Sequence, residues 1–354
     1  MREKILIGVL VVLLAFVIGF FSWRFFQFRR TEGKPLLGRK EKLIESKLDG
    51  TQITVSAANR RPLAIVVENH TEARPQTGLD DASVVYEAIA EGGITRFLAV
   101  FGPHLPDKIG PVRSARTFFV EWALDWDAMF GHVGGSKNGI ALVRSSGVAD
   151  LDQFAIGARA YQREPKTGVA IEHTMFTFPD KLYEVAKGFK KYQITDGKYQ
   201  PWLFKNEPSA DLSGAGQSVV VDFSQPNYKV TWNYDKASNS YLRIQNGTPH
   251  KDALSGKQLS AKNLVLMQVT RRLVQQEEGP TVFDLDLTGK GKATLFQDGK
   301  QIEGTWRDSG MGKRVLFSDS DGNEIKMNRG ATWIEVVNPD SVKTEIKALI
   351  MATP

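Results

Sequence analysis

The chain opens on a long run of apolar residues, and shorter apolar runs recur along the rest of it. Residues 5–23 contain no charged side chain. As a helix, a run of this length rises about 28 Å, enough to cross the hydrocarbon core of a bilayer. The pattern predicts a transmembrane anchor over residues 1–23. A cleavable signal peptide is the alternative, but the run ends in Gly-Phe-Phe-Ser-Trp, a poor cleavage site, so an uncleaved anchor is favoured.

Behind this run, the pattern divides the chain into linkers and two folded domains. Residues 24–59 are predicted to be a basic juxtamembrane linker with a short helix over 41–48, and folded structure is expected to start near residue 60. Residues 60–200 alternate strand-like and helix-like apolar runs, which is typical of an α/β domain. Residues 201–217 are rich in Pro, Gly, Ser and Asp and predict a second linker.

Residues 218–354 contain short segments of alternating polarity, which indicate antiparallel β-structure. Three turn dipeptides separate them: Asn246-Gly247, Asp298-Gly299 and Asp321-Gly322. Each is typical of a β-hairpin. The predicted fold is an α/β (or α+β) N-terminal domain followed by a smaller, antiparallel β-rich C-terminal domain, behind one N-terminal transmembrane helix.

The charge of the chain is concentrated at its N-terminus. There are 46 Lys and Arg residues against 40 Asp and Glu, a net charge of +6, and all of this excess lies in residues 1–42. The folded domains are therefore neutral, and nucleic acid is not an expected partner. A basic flank beside an apolar run is typical of contact with anionic lipid headgroups. The absence of cysteine excludes disulfides, thiolate metal ligands and a lipidated cysteine.

Polar side chains follow two predicted buried strands, over residues 63–67 and 128–133. The carboxyl ends of such strands are where α/β sheets usually build their sites. The residues concerned are Glu68, Asn69 and His70 after the first strand, and His132, Gly134, Gly135 and Ser136 at the end of the second. The alternatives are a solvated loop at the first end and a tight connection at the second.

A predicted helix begins between these two strands. Ser114 is its expected N-cap, and a helix N-terminus favours anions. Arg113 and Arg116 add forked donors suited to carboxylate or phosphate. The alternative is that each arginine pairs with an internal acid such as Glu68, Glu87 or Glu91.

Two glycines at positions 92–93 predict a two-residue hairpin turn. Pairing the arms on that turn places Glu87, Glu91 and Arg96 on one face, with Ile89 opposite Arg96. Two carboxylates around one guanidinium can hold a ligand or tune a general acid. A structural ion-pair cluster is the alternative, and a helix in place of the first arm also remains open.

The catalytic candidates are Glu87, Glu91 and His132. The sequence contains no G-x-S-x-G nucleophile elbow, phosphate-binding P-loop or dinucleotide fingerprint. Four of the five histidines lie in the first domain, but no pair has the spacing of the H-E-x-x-H zinc motif. The sequence therefore predicts neither a metal site nor a cofactor.

Several motifs, in order, resemble the YerB-like family of bacterial cell-surface (lipo)proteins. They are RPLAIVVENH, ARPQTGL, VVYEAIAEGGITRFLAVFG, IGPVRSAR and HVGGS, with DGNEIKMNRGATWIEVV later. The resemblance implies two domains of unknown function and an extracytoplasmic location, and it assigns no reaction. The family's polar motif positions correspond here to Glu68, Asn69, His70, Arg74, Glu87, Glu91, Arg96, Arg113, Ser114, Arg116, His132 and Ser136.

The resemblance also bears on the anchor, the orientation and one motif. Lipoprotein relatives carry a lipidated cysteine and this chain has none, so the helix itself is expected to be the anchor. Arg2 and Lys4 favour a cytoplasmic N-terminus while the bases after the run favour the reverse, and the resemblance implies the former. Glu172-His173-Thr174 stands where the family has a His-Asn pair, which leaves His173 as a candidate.

We expect a single-pass membrane protein whose folded domains lie outside the cell and bind an anionic or carbohydrate envelope ligand, or a protein partner. The candidate ligand-binding residues are Glu68, Asn69, His70, Arg74, Arg96, Arg113, Ser114, Arg116, Gly134, Gly135, Ser136 and His173. An envelope glycan hydrolase that uses a glutamate as acid or base is one alternative. A structural scaffold of an envelope complex is the other.

Overall fold

The computed structural model describes residues 42–189, 192–209, 213–274, 282–340 and 342–348. The predicted transmembrane span, residues 5–23, lies outside these ranges. Within them, no helix is both long and apolar enough to cross a membrane. The described residues from Leu43 onward belong to one compact unit.

The elements of the first half combine strands with short helices. They are β1 (Leu43–Glu45), β2 (Gln52–Thr54), α1 (Val55–Ala58), β3 (Leu63–Glu68), β4 (Val84–Glu91), β5 (Ile94–Phe101), α2 (Thr117–Asp125), β6 (Met129–His132), α3 (Lys137–Ser146), β7 (Ala149–Asp152), α4 (Gln153–Ile156), β8 (Tyr161–Arg163), β9 (Met175–Thr177) and α5 (Pro179–Lys187).

The second half is built from strands. They are β10 (Phe204–Lys205), β11 (Gln217–Asp222), β12 (Lys229–Asp235), β13 (Ser240–Gln245), β14 (Thr248–Pro249), β15 (Ser260–Ala261), β16 (Asn263–Gln268), β17 (Arg271–Val274), β18 (Val282–Leu285), β19 (Gly289–Gln297), β20 (Lys300–Asp308), β21 (Leu316–Asp319), β22 (Met327–Asn328), β23 (Thr332–Val337) and β24 (Lys343–Ala348).

Strands from both halves form one large mixed sheet. Its main path through the described residues is β21-β20-β19-β16-β23-β4-β5-β3-β6-β7, and β18 joins at β4 with β17 beside it. β3, β6 and β7 run parallel, as do β16, β23 and β4. Because β23 pairs with β4, the β-rich second half completes the sheet that the first half begins.

Both faces of the central part of this sheet are covered, which explains why its central strands are continuously apolar. On one face, α2 packs Phe118, Phe119 and Trp122 into the core. On the other face lies a second, antiparallel sheet, β14-β13-β12-β11-β24 with β15 beside β13, which contributes Trp232 to a separate core cluster. β3 and β23 are buried at every position.

Two of the three turn dipeptides form hairpins as predicted, whereas Asp321-Gly322 lies in a longer turn closed by an isolated bridge between Ser318 and Glu324. Gln297 pairs with Lys300 across Asp298-Gly299, and the φ angles of +56° and +64° at the two turn residues are those of a type I′ turn. Gln245 pairs with Thr248 in the same way across the turn at 246–247.

Other local predictions are wrong. Residues 43–54 contain the β1–β2 hairpin and not the predicted helix, so folded structure is already present at Leu43, ahead of the predicted start near residue 60. β4 replaces the alternative helix before the glycine turn. α2 begins at Thr117 with Arg116 at its N-cap, not at Ser114, because the preceding residues are extended and form backbone bridges to β3 and to Gly135.

Candidate functional site

The carboxyl ends of β3, β6 and β7 lie side by side at one edge of the large sheet. The extended segment before α2 crosses this edge between β3 and β6. Arg113 N donates to Val66 O at 2.9 Å, and Val133 N donates to Arg113 O at 3.0 Å. Ala115 N donates to Gly134 O at 2.9 Å. The backbone therefore brings the two predicted strand ends and the predicted arginines into one neighbourhood.

Glu68, the last residue of β3, connects several of the predicted ligand-binding residues. Its side chain is only 2% exposed. One carboxylate oxygen accepts from Arg113 Nε at 3.0 Å, and the other accepts from His173 Nδ1 at 2.8 Å. The ring of His173 stacks on that of His70 with centroids 4.4 Å apart. Side chains 105 positions apart in the chain thus meet at the end of one strand.

Beside this group lies a second one, in which Glu91 holds two arginines. Arg96 Nη2 and Arg116 Nη2 each donate to a different oxygen of Glu91. Burial, and then the charge of Arg116, lowers the pKa of Arg96 to about 10. Burial by itself would raise the pKa of Glu91, but the two guanidinium charges outweigh it and lower that pKa. At neutral pH, Glu91 is ionised and both arginines are protonated.

We call Arg96, Arg113 and Arg116 the arginine cluster. Within the described ranges, Arg96 Nε, Arg96 Nη1 and Arg116 Nε are buried donors with no hydrogen-bond partner. The Arg113 side chain is 23% exposed, so its guanidinium is accessible from outside. Three guanidinium groups share the two carboxylates Glu68 and Glu91. Unpaired buried donors are rare in native proteins, and an anion would supply the missing acceptors.

The predicted shared face of Glu87, Glu91 and Arg96 is wrong. Glu91 is paired as the glycine turn requires, but a bulge between Ile89 and Glu91 then shifts the register by one residue. Ala88, and not Ile89, lies opposite Arg96. Because a one-residue shift reverses the direction of every side chain, Glu87 points to the opposite face of the sheet from Arg96.

Glu87 belongs instead to a buried polar network between the two sheets. It forms an ion pair with Arg243 of β13, and both side chains are 0% exposed. Asn69 Nδ2 donates to Glu87 Oε1 at 3.1 Å, and Arg74 Nε donates to Asn69 Oδ1 at 3.0 Å. Glu87 and Asn69, predicted as catalytic and ligand-binding residues, are sealed from solvent in this structure.

The network continues through residues that the sequence pattern does not predict as site residues. Arg243 Nη1 donates to His250 Nδ1 at 3.1 Å, and His250 Nε2 donates to Gln76 Oε1 at 2.6 Å. Burial, followed by the charges of Arg243 and Arg74, holds the pKa of His250 well below its usual range, so the ring is neutral. Glu335 of β23 lies beside Glu87 in the sheet register. These residues come from distant strands, and no local motif marks them.

His132 occupies the end of β6 and is also fully buried. Its Nδ1 lies 2.7 Å from Gly134 O, and its Nε2 lies 3.0 Å from Asp150 Oδ1. Ser136 accepts from Gly139 N and caps α3. The second strand end therefore consists of a closed histidine–carboxylate pair and a helix cap, while Gly135 is exposed. Ser114 is half-buried near the same edge.

Two further cavities are lined by described residues. One of about 560 Å³ is lined by Arg74, His250 and neighbouring residues of the 71–75 and 245–251 segments. Arg74 stacks over the ring of Tyr228, and burial lowers its pKa to about 10. The other, of about 670 Å³, is lined by residues of β11 and of the segment 337–345 and contains none of the predicted site residues.

Comparison with known families settles the resemblance. The protein-family model described as "Protein of unknown function (DUF3048) N-terminal domain" matches residues 48–193, and the family model of its C-terminal counterpart matches residues 219–334. The chain belongs to the DUF3048 family. Within this family it is similar to "Putative lipoprotein YerB" of Bacillus subtilis (strain 168), with 34% identity over 328 residues that cover 89% of this chain and 92% of YerB.

The fold of this DUF3048 chain is also similar to that of a solved relative. The crystal structure of the YerB protein from Bacillus subtilis superposes with a TM-score of 0.74 at 32% sequence identity. The match covers 85% of this chain and 99% of that one. The predicted YerB-like membership is therefore confirmed over nearly all of the described structure.

Proposed function

We propose that this DUF3048 protein is a membrane-anchored, extracytoplasmic binding protein that holds an anionic group of a cell-envelope ligand at the arginine cluster. The observation that carries the proposal is the set of buried guanidinium N–H groups without acceptors. Leaving a buried donor unpaired costs about 1–3 kcal/mol, and charge-assisted bonds to a carboxylate or phosphate would remove that cost. Arg113 provides the accessible end of the cluster.

The location is supported by the N-terminal sequence and by the relative. YerB of Bacillus subtilis carries the name of a lipoprotein. This chain has no cysteine to lipidate, but it has the uncharged apolar run of residues 5–23. An apolar run of this length can anchor the protein, and the bases that follow it can contact anionic headgroups. The same surface role is then reached with a helix in place of a lipid.

The hydrolase alternative finds no support in the geometry of its two glutamates. Glu87 is fully buried against Arg243 and cannot reach a substrate in this structure. Glu91 is held ionised between Arg96 and Arg116, so it has no proton to donate to a leaving group. Binding, rather than acid–base catalysis, is the activity that these charges favour.

Replacing Arg113 with glutamine is expected to weaken the binding of inorganic phosphate, and of purified cell walls, about tenfold or more. The change removes the accessible guanidinium, and a hydrogen bond to a charged group contributes about 1.5–3 kcal/mol. The measurement is calorimetric titration of the detergent-solubilised full chain with phosphate, followed by co-sedimentation with cell walls.

Arg144→Gln is the matched control for this experiment, because Arg144 is an exposed arginine of α3 outside the cluster. It should bind as tightly as the unmodified chain. Equal binding by the Arg113→Gln variant, at an unchanged melting temperature, would refute the proposal. Retention on cell walls without phosphate binding would favour a protein-scaffold role instead.

A further inference from the structure

A group of potential metal ligands lies next to the arginine cluster. Among the described residues, His70, Glu72 and His173 each offer one ligand atom, and these atoms lie within 4.8 Å of one another. His70 and Glu72 belong to the turn that follows β3, and His173 ends the turn before β9. We propose that these three side chains form a binding site for a divalent transition-metal ion such as Zn²⁺.

The hydrogen bond of His173 Nδ1 orients the ring so that its other nitrogen can bind a metal. His173 Nδ1 donates to Glu68 Oε2, which leaves the lone pair of Nε2 free, and Nε2 lies 3.9 Å from Glu72 Oε2. A histidine that binds a metal usually donates its other N–H to a carboxylate, because this fixes the ring and raises its basicity. Glu68 is itself held by Arg113 and is almost fully buried, so it cannot easily turn away.

The carboxylate of the trio is also held in place. Ala170 N donates to Glu72 Oε2 at 3.0 Å, which ties the exposed Glu72 side chain to the segment that carries His173. The carboxylate and the second histidine are therefore positioned by the same stretch of chain. Two imidazoles and one carboxylate are a donor set of zinc sites that keep an open position, and they also suit Co²⁺ and Ni²⁺.

Binding requires one movement, and the least constrained ring can make it. His70 and His173 are stacked with an angle of 4° between their planes, so their lone pairs cannot both point at one ion. His70 is half-buried, and the bond from Glu72 N to its Nδ1 is long at 3.3 Å. When two nitrogens bind one tetrahedral Zn²⁺ with Zn–N bonds of about 2.0 Å, the nitrogens lie about 3.3 Å apart. Rotation of His70 brings one of its ring nitrogens towards this distance from the ring nitrogen of His173.

This proposal rests on the donor atoms and their supports, not on the proposed anion binding. The sequence does not predict the site, because its two histidines are separated by about a hundred residues and by five strands of the fold. Only the packing of the 171–173 turn against the end of β3 brings them together.

The test is titration of the metal-stripped, detergent-solubilised full chain with Co²⁺, followed by absorption, and with Zn²⁺, followed by calorimetry. We expect one ion per chain, with the visible bands of four-coordinate Co²⁺ that Zn²⁺ abolishes. His173→Ala should lower the affinity at least tenfold, and His104→Ala, at an exposed histidine outside the trio, should leave it unchanged. Binding of less than one equivalent by the unmodified chain would overturn the site.

Two milder variants keep the proposal testable if His173→Ala fails to fold. Glu72→Gln, at a side chain that is 42% exposed, removes a ligand charge with little effect on packing and should also weaken binding at least tenfold. Glu68→Gln should lower the affinity about tenfold while the Co²⁺ bands persist, as expected of a positioning residue. Unchanged affinity in Glu72→Gln would contradict the proposal, whatever the outcome of anion binding.

Discussion

Replacing Arg243 with methionine is expected to lower the free energy of unfolding by about 3–5 kcal/mol. The substitution removes the partner of Glu87 and leaves its carboxylate buried without a counter-charge. Arg243 also lies within 5.5 Å of the ring centroids of Phe97, Trp232 and Trp333, so its side chain fills the space between the two sheets. Denaturant unfolding of the full chain, followed by tryptophan fluorescence, measures the loss.

An exposed ion pair provides the matched control for Arg243. Lys187 and Glu184 pair on α5 with side chains 53% and 69% exposed, so Lys187→Met should cost no more than about 0.5 kcal/mol. The double variant Glu87→Gln, Arg243→Met should recover part of the loss, because it no longer buries an unpaired charge. A loss below about 1 kcal/mol in Arg243→Met would show that the buried pair is not a determinant of stability.

The pattern of apolar residues is a good guide to the elements of this fold because the central strands of the large sheet are covered on both faces. β3 is continuously apolar for that reason, and its polar end at Glu68 is where the site begins. The joining of β23 to β4 is not visible in the pattern. Local alternation indicates strands but carries no information on which distant strand becomes the neighbour, so the pattern does not reveal that the two predicted domains share one sheet.

In the candidate site too, features that depend on residues close together in the chain are predicted, and contacts between residues far apart in the chain are not. The strand ends and the arginines are correctly placed at one edge, because parallel strands place their carboxyl ends together. The pairing of Glu91 with Arg96 is also local. A single bulge, however, moves Glu87 to the other face, and alternation alone cannot reveal an extra residue in one strand. Arg243, 156 positions from Glu87, could not be found from one sequence.

The same buried network contains a carboxyl group that favours folding only when it is protonated. Glu335 is 0% exposed, and its Oε1 accepts from Trp232 Nε1 at 2.6 Å. Among the described residues no donor reaches its Oε2. The Glu87 carboxyl group is its neighbour in the sheet register, and a hydrogen bond between two carboxyl groups needs a shared proton. Burial first, and then the charge of Glu87, raises the pKa of Glu335 well above its usual range.

Because the pKa of Glu335 is raised in the folded state, the direction in which stability changes with pH is fixed. Glu335 is protonated in the folded protein, whereas in the unfolded chain it titrates near 4.5. Its contribution to stability is therefore fully present below about pH 4.5 and is lost as the pH rises towards the folded-state pKa. Between these two pKa values, folding is accompanied by proton uptake at this position.

Glu335→Gln is expected to raise the free energy of unfolding at pH 7 by about 2–3 kcal/mol. The amide keeps an acceptor for Trp232 and supplies a permanent N–H donor to Glu87, so folding no longer requires proton uptake. The gain should vanish near pH 4, and denaturant unfolding at pH 4, 5.5 and 7 measures it.

Glu345→Gln, at an exposed glutamate of β24, controls for the loss of one negative charge and should change stability by less than about 0.5 kcal/mol at every pH. A parallel pH profile for Glu335→Gln and the unmodified chain would mean that Glu335 titrates alike in both states and that the pair with Glu87 holds no proton.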